Sequence, residues 1–248
     1  MSILSEIQRI DQAKDDIVTA LENKGVIVPQ GTKIDDVPIL IDTMASGGTD
    51  DSLINLVTRS GETIIIPDGV ETIGHYAFAY CEDLLNVQIP NSVTSMGNYA
   101  FRNCSSLTLD SMPSSIRVLG VQTFIGCSSL DLSEIPETIE SMGSSVFRDC
   151  TSLTKIKIKN KEWSVTCFHS CSNLRTVWIS SSCISIVAAT AANSPFTSCP
   201  TNLVIYTDAP TKQAGWGNFY NRCGNNGTSS ATVHFNVSEA QFDALFGN

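Results

Sequence analysis

A repeat fixed in phase by phenylalanine and cysteine constrains this chain more than any other feature. Four phenylalanines occur at intervals of 23 residues, each followed three residues later by a cysteine: Phe78, Phe101, Phe124 and Phe147. Two later copies, at Phe168 and Phe196, keep the pair after spacings of 21 and 28 residues. A unit this short cannot bury its own apolar face, so the copies must stack and share one core. The repeat therefore predicts a solenoid.

Proline and glycine mark the corners of each copy. An apolar residue precedes proline at Pro67, Pro90, Pro113 and Pro136, and an apolar residue precedes glycine at Gly74, Gly97, Gly120 and Gly143. Proline removes a ladder donor, and glycine permits a tight corner or a positive φ, so the pattern predicts two short strands per turn. Segments 107–112 and 130–135 carry a polar residue where Val87, Ile156 and Val177 stand, and we expect bulges there.

The repeat cysteine admits two interpretations. Six of the nine cysteines hold this position, either as a ladder of small buried thiols or as a row of metal ligands. Cysteine packs well as a small hydrophobic residue, whereas ligands one coil apart cannot converge on a single ion. The ladder is therefore favoured, and we expect free thiols and no metal. Cys167, His169 and Cys171 form the densest alternative cluster, but Cys171 belongs to the ladder.

The pattern Ile-Pro-x-x-Val-x-x-Ile-Gly-x-x-x-Phe-x-x-Cys-x-x-Leu, most secure over residues 66–158, resembles the BspA-type leucine-rich repeats of bacterial surface and secreted proteins. The resemblance implies a right-handed solenoid with a strand-rich concave face, used for adhesion and protein recognition, and no shared catalytic residues. The expected fold class is an α+β repeat solenoid. In this fold a leucine-rich-repeat right-handed coil of short strands carries an N-terminal helical segment and a C-terminal strand-helix cap.

The chain divides into four predicted segments: 1–45, helical, for attachment or oligomerisation; 46–63, a linker and N-terminal cap; 64–206, the solenoid; and 207–248, a C-terminal cap. Residues 5–24 have helical spacing, and residues 3–24 also fit a short coiled coil, so either packing on the solenoid or a homo-oligomer is expected. Residues 13–35 resemble a module of phage and prophage tail and other structural proteins.

Charge and motifs limit the possible functions. The net charge of −10 disfavours nucleic acid, and no apolar run is long enough to span a bilayer. The chain shows no signal peptide, no nucleophile elbow and no phosphate-binding or dinucleotide fingerprint. We therefore expect a non-enzymatic protein without cofactors that is cytoplasmic at synthesis and enters either a virion or, alternatively, the cell surface.

Strand alternation predicts one outward row of polar and aromatic side chains, called here the outward row: Asn86, Gln88, Glu134, Lys155, Lys157, Thr176 and Trp178. Tryptophan is enriched at binding hot spots, which makes Trp178 the strongest candidate unless the insertion 181–195 covers it. The expected partner is a surface protein or carbohydrate. Residues 215–227, which include Trp216, Phe219 and Tyr220, could instead grip a carbohydrate or form a pocket, although packing within the cap is favoured.

Two functional hypotheses follow. The first is a phage- or prophage-encoded structural protein whose N-terminal segment attaches or oligomerises and whose solenoid recognises a surface partner. The alternative is an adhesin-like repeat protein presented at a bacterial cell surface, which explains the repeats but not the missing signal. An enzyme with a pocket in the C-terminal cap is a third and weaker possibility.

Overall fold

The computed structural model describes residues 58–60, 63–66, 68–109, 111–186, 190–218 and 220–246. The predicted helix over 5–24, its coiled-coil alternative and the phage-like module over 13–35 lie outside these residues. So do all of segment 1–45 and most of segment 46–63.

Two parallel ladders of short strands run along the solenoid. The first contains β1 (Thr58–Ser60), β2 (Thr63–Ile65), β4 (Asn86–Gln88), β7 (Glu134–Ile135), β9 (Lys155–Ile158), β11 (Thr176–Ile179), β13 (Val204–Thr207) and β16 (Thr232–His234). The second consists of a four-stranded sheet, β3 (Thr72–Ile73), β5 (Ser95–Met96), β6 (Val118–Leu119) and β8 (Ser141–Met142), followed by a two-stranded sheet, β10 (Glu162–Trp163) and β12 (Ser185–Ile186). Only β1 breaks the parallel order of these ladders, by pairing antiparallel to β2. The predicted coil with two short strands per turn is confirmed.

The first ladder is interrupted where bulges were predicted. It is divided into a three-stranded sheet ending at β4 and a five-stranded sheet beginning at β7, with only an isolated bridge between Asn86 and Thr108 in the gap. In the two irregular copies Leu109 and Leu132 turn into the core, and Ser133 is exposed. The inward residue has moved one place along the chain without an added residue, so the irregularity is a shift of alternation rather than a bulge.

Stacked phenylalanines form the centre of the core. Their ring centroids lie 5.1 to 5.7 Å apart in one column: Phe78, Phe101, Phe124, Phe147, Phe168 and Phe196. All six are buried, and the planes of successive rings differ by 16° or less. Each ring therefore fills space that a single turn could not enclose, as the repeat predicted.

The repeat cysteines form the predicted ladder of buried thiols. Five of them donate to the carbonyl oxygen of the preceding copy's phenylalanine at 2.9 to 3.2 Å: Cys104, Cys127, Cys150, Cys171 and Cys199. Cys81, in the first copy, is half-buried. Burial raises the pKa of the Cys150 thiol, and it raises that of Cys167, outside the ladder, to about 12. These thiols therefore remain protonated hydrogen-bond donors rather than nucleophiles.

The corner glycines are required for a reason that differs from the expected one. None of Gly97, Gly120 and Gly143 has a positive φ. A Cβ on Gly120 would instead lie 2.5 Å from the backbone nitrogen of Asn98 and 2.5 Å from the carbonyl carbon of Gly97. Glycine at this position therefore lets successive turns approach backbone to backbone.

The C-terminal cap closes the last turn as predicted. After β13, strands β14 (Arg222–Cys223) and β15 (Ser229–Ser230) form an antiparallel pair. Strand β16 pairs with β13 and is followed by helix α1 (Glu239–Phe246), the one α-helix in the part of the chain described. Ser238 and Gln241 cap it reciprocally, since Gln241 N donates to Ser238 Oγ and Ser238 N donates to Gln241 Oε1. No helix among the described residues is long and apolar enough to cross a membrane.

The aromatic residues near 216 pack inside the cap. Trp216 is 1% exposed, its Nε1 donates to the carbonyl oxygen of Cys183 at 2.8 Å, and its ring lies 5.1 Å from that of Tyr220. Tyr220 is 7% exposed. These two rings cannot stack on a sugar, so the interpretation of this segment as cap packing is the one that the structure supports. Phe219 lies outside the described residues, and the packing of Trp216 and Tyr220 gives no support to a pocket at these aromatic residues.

Candidate functional site

Strand pairing brings the later members of the outward row into register. Glu134 pairs with Lys157, Lys157 with Trp178, and Lys155 with Thr176. Their neighbours Ile156, Ile158 and Val177 point inward and are buried, as strand alternation requires. Asn86 and Gln88 lie on β4, beyond the interruption of the first ladder, so they are separated from the other five residues.

Two aromatic residues that the sequence analysis missed extend this row. Tyr206 pairs with Trp178, and His234 pairs with Tyr206 and stacks on it with ring centroids 5.0 Å apart. In the sixth copy the repeat leucine, Leu203, stands four residues after its cysteine rather than three, so an alignment on the leucines misplaces β13 by one residue. Counted from the repeat cysteines, Trp178 and Tyr206 hold the same position, and this spacing is the signal that could have found Tyr206.

Helix α1 and the segment before it cover part of the row. Trp178 is 3% exposed, and its Nε1 donates to the carbonyl oxygen of Val237 at 2.9 Å. Phe242 is fully buried, with its ring centroid 5.5 Å from that of Tyr206. Thr176 is also buried. The expectation of an exposed Trp178 is therefore wrong, and the cover found comes from the C-terminal segment instead of the insertion 181–195.

Ion pairs hold this cover in place. Lys157 Nζ lies 2.9 Å from Glu239 Oε1 and 3.2 Å from Asp243 Oδ2. Lys159 Nζ lies 2.9 Å from the same Glu239 oxygen and 3.1 Å from Glu134 Oε2. Lys157 on β9 and Lys159 just after it thus meet Glu239, which lies about 80 positions away in the chain. No local sequence signal indicates this contact.

The ion pairs shift the ionisation of their members. Partial burial alone would lower the pKa of Lys157 and Lys159, but hydrogen bonds and attraction to the carboxylates outweigh it and raise both pKa values. Partial burial alone would raise the pKa of Glu239, but the two lysines lower it. The network therefore keeps Lys157, Lys159 and Glu239 charged around neutral pH.

We expect acid to loosen α1 from the outward row. The lowered pKa of Glu239 means that its stabilising contribution is complete above its ordinary value of 4.5 and is lost as the pH falls through the lowered value. The raised lysine pKa values leave the contribution intact below their ordinary 10.5, so the neutral range is unaffected. Tryptophan emission should shift to the red between neutral pH and about pH 3 as Trp178 becomes hydrated.

Glu239→Gln should weaken this acid transition, whereas Glu140→Gln should retain it. The Glu140 side chain is 76% exposed, and its one ion pair, with Arg117, is long at 3.9 Å. Far-UV circular dichroism on the same samples distinguishes release of α1 from unfolding of the solenoid. Equal emission maxima at neutral and acid pH in the natural chain would refute the prediction.

A groove beside this network is the candidate binding site. We call it the acidic groove; it encloses about 450 Å³, and its lining includes Glu134, Glu137, Lys159, Trp178, Asp208 and Glu239. Four carboxylates therefore face one ammonium group. Glu134 and Glu239 are paired with lysines, and Asp208 accepts hydrogen bonds from the backbone N–H and hydroxyl of Ser181. Glu137 makes no ion pair or hydrogen bond with any described residue and is exposed, so it is available to a ligand.

The remaining candidate metal ligands do not converge. Cys167 donates to the carbonyl oxygen of Ser164 at 3.1 Å, and His169 shares a hydrogen bond with Ser170 at 2.7 Å. Burial and the nearby Arg148 lower the pKa of His169. Across the described ranges, no three His, Cys, Asp or Glu side chains are grouped to hold an ion.

Comparisons with known proteins bear on the solenoid. The model of the BspA type leucine rich repeat region matches residues 58–175 and 111–221 with six copies. A search of curated proteins gave no significant match. Similar solved structures include a leucine rich repeat protein of T. pallidum, at 25% identity and a TM-score of 0.41, with 47% of this chain and 69% of that chain covered.

Two further solved structures are similar to this chain. A leucine-rich repeat protein from Bacteroides ovatus is 26% identical with a TM-score of 0.43 and coverage of 61% of this chain and 41% of that chain. Pneumococcal vaccine antigen PcpA is 14% identical with a TM-score of 0.50 and coverage of 71% and 41%. The last similarity shows the fold alone. This chain spans only about two fifths of the length of either protein.

Proposed function

Because this chain belongs to the BspA-type leucine-rich repeat family, we propose that it is a non-enzymatic, adhesin-like protein that recognises a partner protein at a cell surface. The observation that carries the proposal is the acidic groove at the end of the outward row. Strand pairing and ion pairs fix the positions of its side chains. Glu137 and the open volume of the groove do not contribute to the packing of the hydrophobic core. A rigid scaffold with spare polar groups is suited to recognition.

Charge defines the kind of segment that fits the groove. With four carboxylates against one ammonium group, the local field attracts a basic side chain and repels an acidic one. The flanking lysines Lys157 and Lys159 are occupied by Glu134, Glu239 and Asp243 and do not neutralise Glu137. The proposed partner is therefore a protein that presents lysine or arginine to this groove.

The phage hypothesis is not carried forward. The family match begins at residue 58, and neither it nor the solved structures support the resemblance of residues 13–35 to tail modules. Protein particles from an induced culture of the source organism, analysed by mass spectrometry, would revive that hypothesis if they contained this chain.

Binding to an array of purified cell-surface and extracellular-matrix proteins tests the proposal. We expect to find a binder whose affinity falls by about tenfold on Glu137→Lys at physiological salt. The loss caused by this substitution should be larger at low salt, where charges are less screened. The matched control is Glu140→Lys, which reverses an exposed charge three residues along the same segment outside the groove. Equal loss with both variants would contradict recognition by the groove, and an array without any binder would contradict the proposed function.

A further inference from the structure

A second surface, separate from the acidic groove, lies on the six-residue turns that precede the repeat cysteines of the first two copies. It consists of Tyr76, Tyr80, Tyr99 and Arg102, and we call it the tyrosine patch. Tyr76 is 44% exposed and Tyr80 is 55% exposed. The rings of Tyr76 and Tyr99 stack with their centroids 4.7 Å apart. Large apolar groups on a soluble protein's surface that gather in one place indicate an interaction site.

The fold does not require tyrosine at these positions. Tyr76, Tyr80 and Tyr99 have φ values of 59°, 64° and 61°, in the left-handed region that bulky residues rarely adopt. Later copies use smaller or more tolerant residues at the place of Tyr80: Asn103, Gly126, Asp149, Ser170 and Ser198. Those at the place of Tyr76 and Tyr99 are Gln122, Ser145 and Thr166. Strain retained at exposed aromatic residues is a mark of function rather than of packing.

Arg102 holds the patch together and is left without an acceptor. Its Cζ lies 5.5 Å from the ring centroid of Tyr80 and 5.5 Å from that of Tyr99. Its Nε is buried without a hydrogen bond, and it makes no ion pair with any described residue.

The other arginines whose side chains are described all have oxygen acceptors: Arg117, Arg148, Arg175 and Arg222. Arg102 is therefore a positioned guanidinium whose natural acceptor is missing from the described part of the chain.

We propose that the tyrosine patch binds a partner protein through an aspartate or glutamate side chain of that partner, which is seated on Arg102 and flanked by apolar contacts to Tyr76 and Tyr80. A guanidinium presents its N–H groups as a planar fork that matches a carboxylate. The surrounding rings exclude water and strengthen the pair, and tyrosine and arginine are the residues that dominate protein interfaces.

A protein fits this surface better than a sugar. Carbohydrate recognition by stacking needs a free aromatic face, and the contacts within the patch reduce it: Tyr76 and Tyr99 each cover one face of the other, and Arg102 lies over Tyr80 and Tyr99. The exposed parts of Tyr76 and Tyr80 and the terminal Nη groups of the half-buried Arg102, whose Nε is buried, are left for a partner. These groups suit a carboxylate side chain with apolar neighbours.

The test uses a displayed random-peptide library selected on the full chain and counter-selected on its Arg102→Gln variant. We expect enriched peptides to contain aspartate or glutamate next to apolar residues. A synthesised binder should lose about tenfold to a hundredfold in affinity on Arg102→Gln, and equally when its own acid is replaced by the amide. Arg148→Gln, at the same repeat position two copies later and paired with Asp149, should leave affinity unchanged.

Tyr80→Asn provides a variant that cannot fail for want of folding. Asparagine is the residue of the next copy at this place and tolerates the left-handed backbone, so the variant should melt at a higher temperature while losing the peptide. Enrichment of peptides without an acid would overturn the proposal, as would equal binding to Arg102→Gln, binding of neutral glycans at these tyrosines, or no enrichment above the counter-selection. Because no groove residue is altered, this outcome is independent of that for Glu137.

Discussion

Phe124→Ala should lower the free energy of unfolding by about 3–5 kcal/mol, at the upper end of the range for single substitutions. Phe124 is fully buried between Phe101 and Phe147, with ring centroids 5.3 and 5.6 Å away. Alanine would leave a cavity shared by three turns, and because each turn contacts only its neighbours, no other part of the protein can fill it.

Urea denaturation followed by circular dichroism measures this loss. The control is Val118→Ala on the outward side of β6, where the side chain is 39% exposed and the expected change stays within about 0.5 kcal/mol. A loss below about 1 kcal/mol for Phe124→Ala would contradict a continuous aromatic core. A smaller m-value, the slope of the unfolding free energy against urea concentration, would instead indicate that the solenoid no longer unfolds as one unit.

Gly120→Ala should cost about 1–3 kcal/mol although it adds only a methyl group. That group would lie 2.5 Å from Asn98 N, 2.5 Å from the carbonyl carbon of Gly97 and 2.7 Å from Asn98 Oδ1. Two of these three atoms belong to the backbone of the preceding turn, so relief requires the turns to separate. Separation would also lengthen the hydrogen bond from Val121 N to Asn98 Oδ1, now 2.8 Å.

Gly74 offers a matched control because it holds the same repeat position in the first copy. No atom of any described residue lies within 4 Å of a Cβ built on Gly74, so Gly74→Ala should change stability by no more than about 0.5 kcal/mol. The comparison separates steric approach from backbone freedom, since neither glycine has a positive φ. Equal destabilisation by the two substitutions would show that conformational freedom at the corner is what matters.

The repeat could be predicted from the sequence because its causes are local and periodic. Phe124 and Cys127 recur at the same positions in every copy, so the environment of a residue in one copy predicts that of its counterpart in the next. The burial of the phenylalanines, the ladder of thiols and the order of the strands could therefore be predicted from the spacing alone. The exception was Leu109 and Leu132, whose early turn into the core interrupts the first ladder and shifts the exposed residue.

The candidate site could be predicted only in part because its contacts are distant in sequence. Strand alternation placed Lys157 and Trp178 side by side, and the structure agrees. It could not show that Glu239 and Val237 cover them, because those residues belong to a cap without a repeat. The acidic groove joins residues from 134 to 239 for the same reason. Because the C-terminal segment covers Trp178, only the uncovered residues of the outward row are available for recognition.

Hydrogen exchange of the full chain, measured alone and with a partner found on the protein array, tests the central claim most directly. We predict slower exchange confined to the segments that line the acidic groove, around residues 114, 134–138, 159, 178–180, 208 and 239, with the buried thiol and phenylalanine positions unchanged. Such a pattern would show that the outward side of the coil binds while the stacked core only supports it. Protection restricted to segments remote from the groove, or spread evenly along the solenoid, would contradict the account.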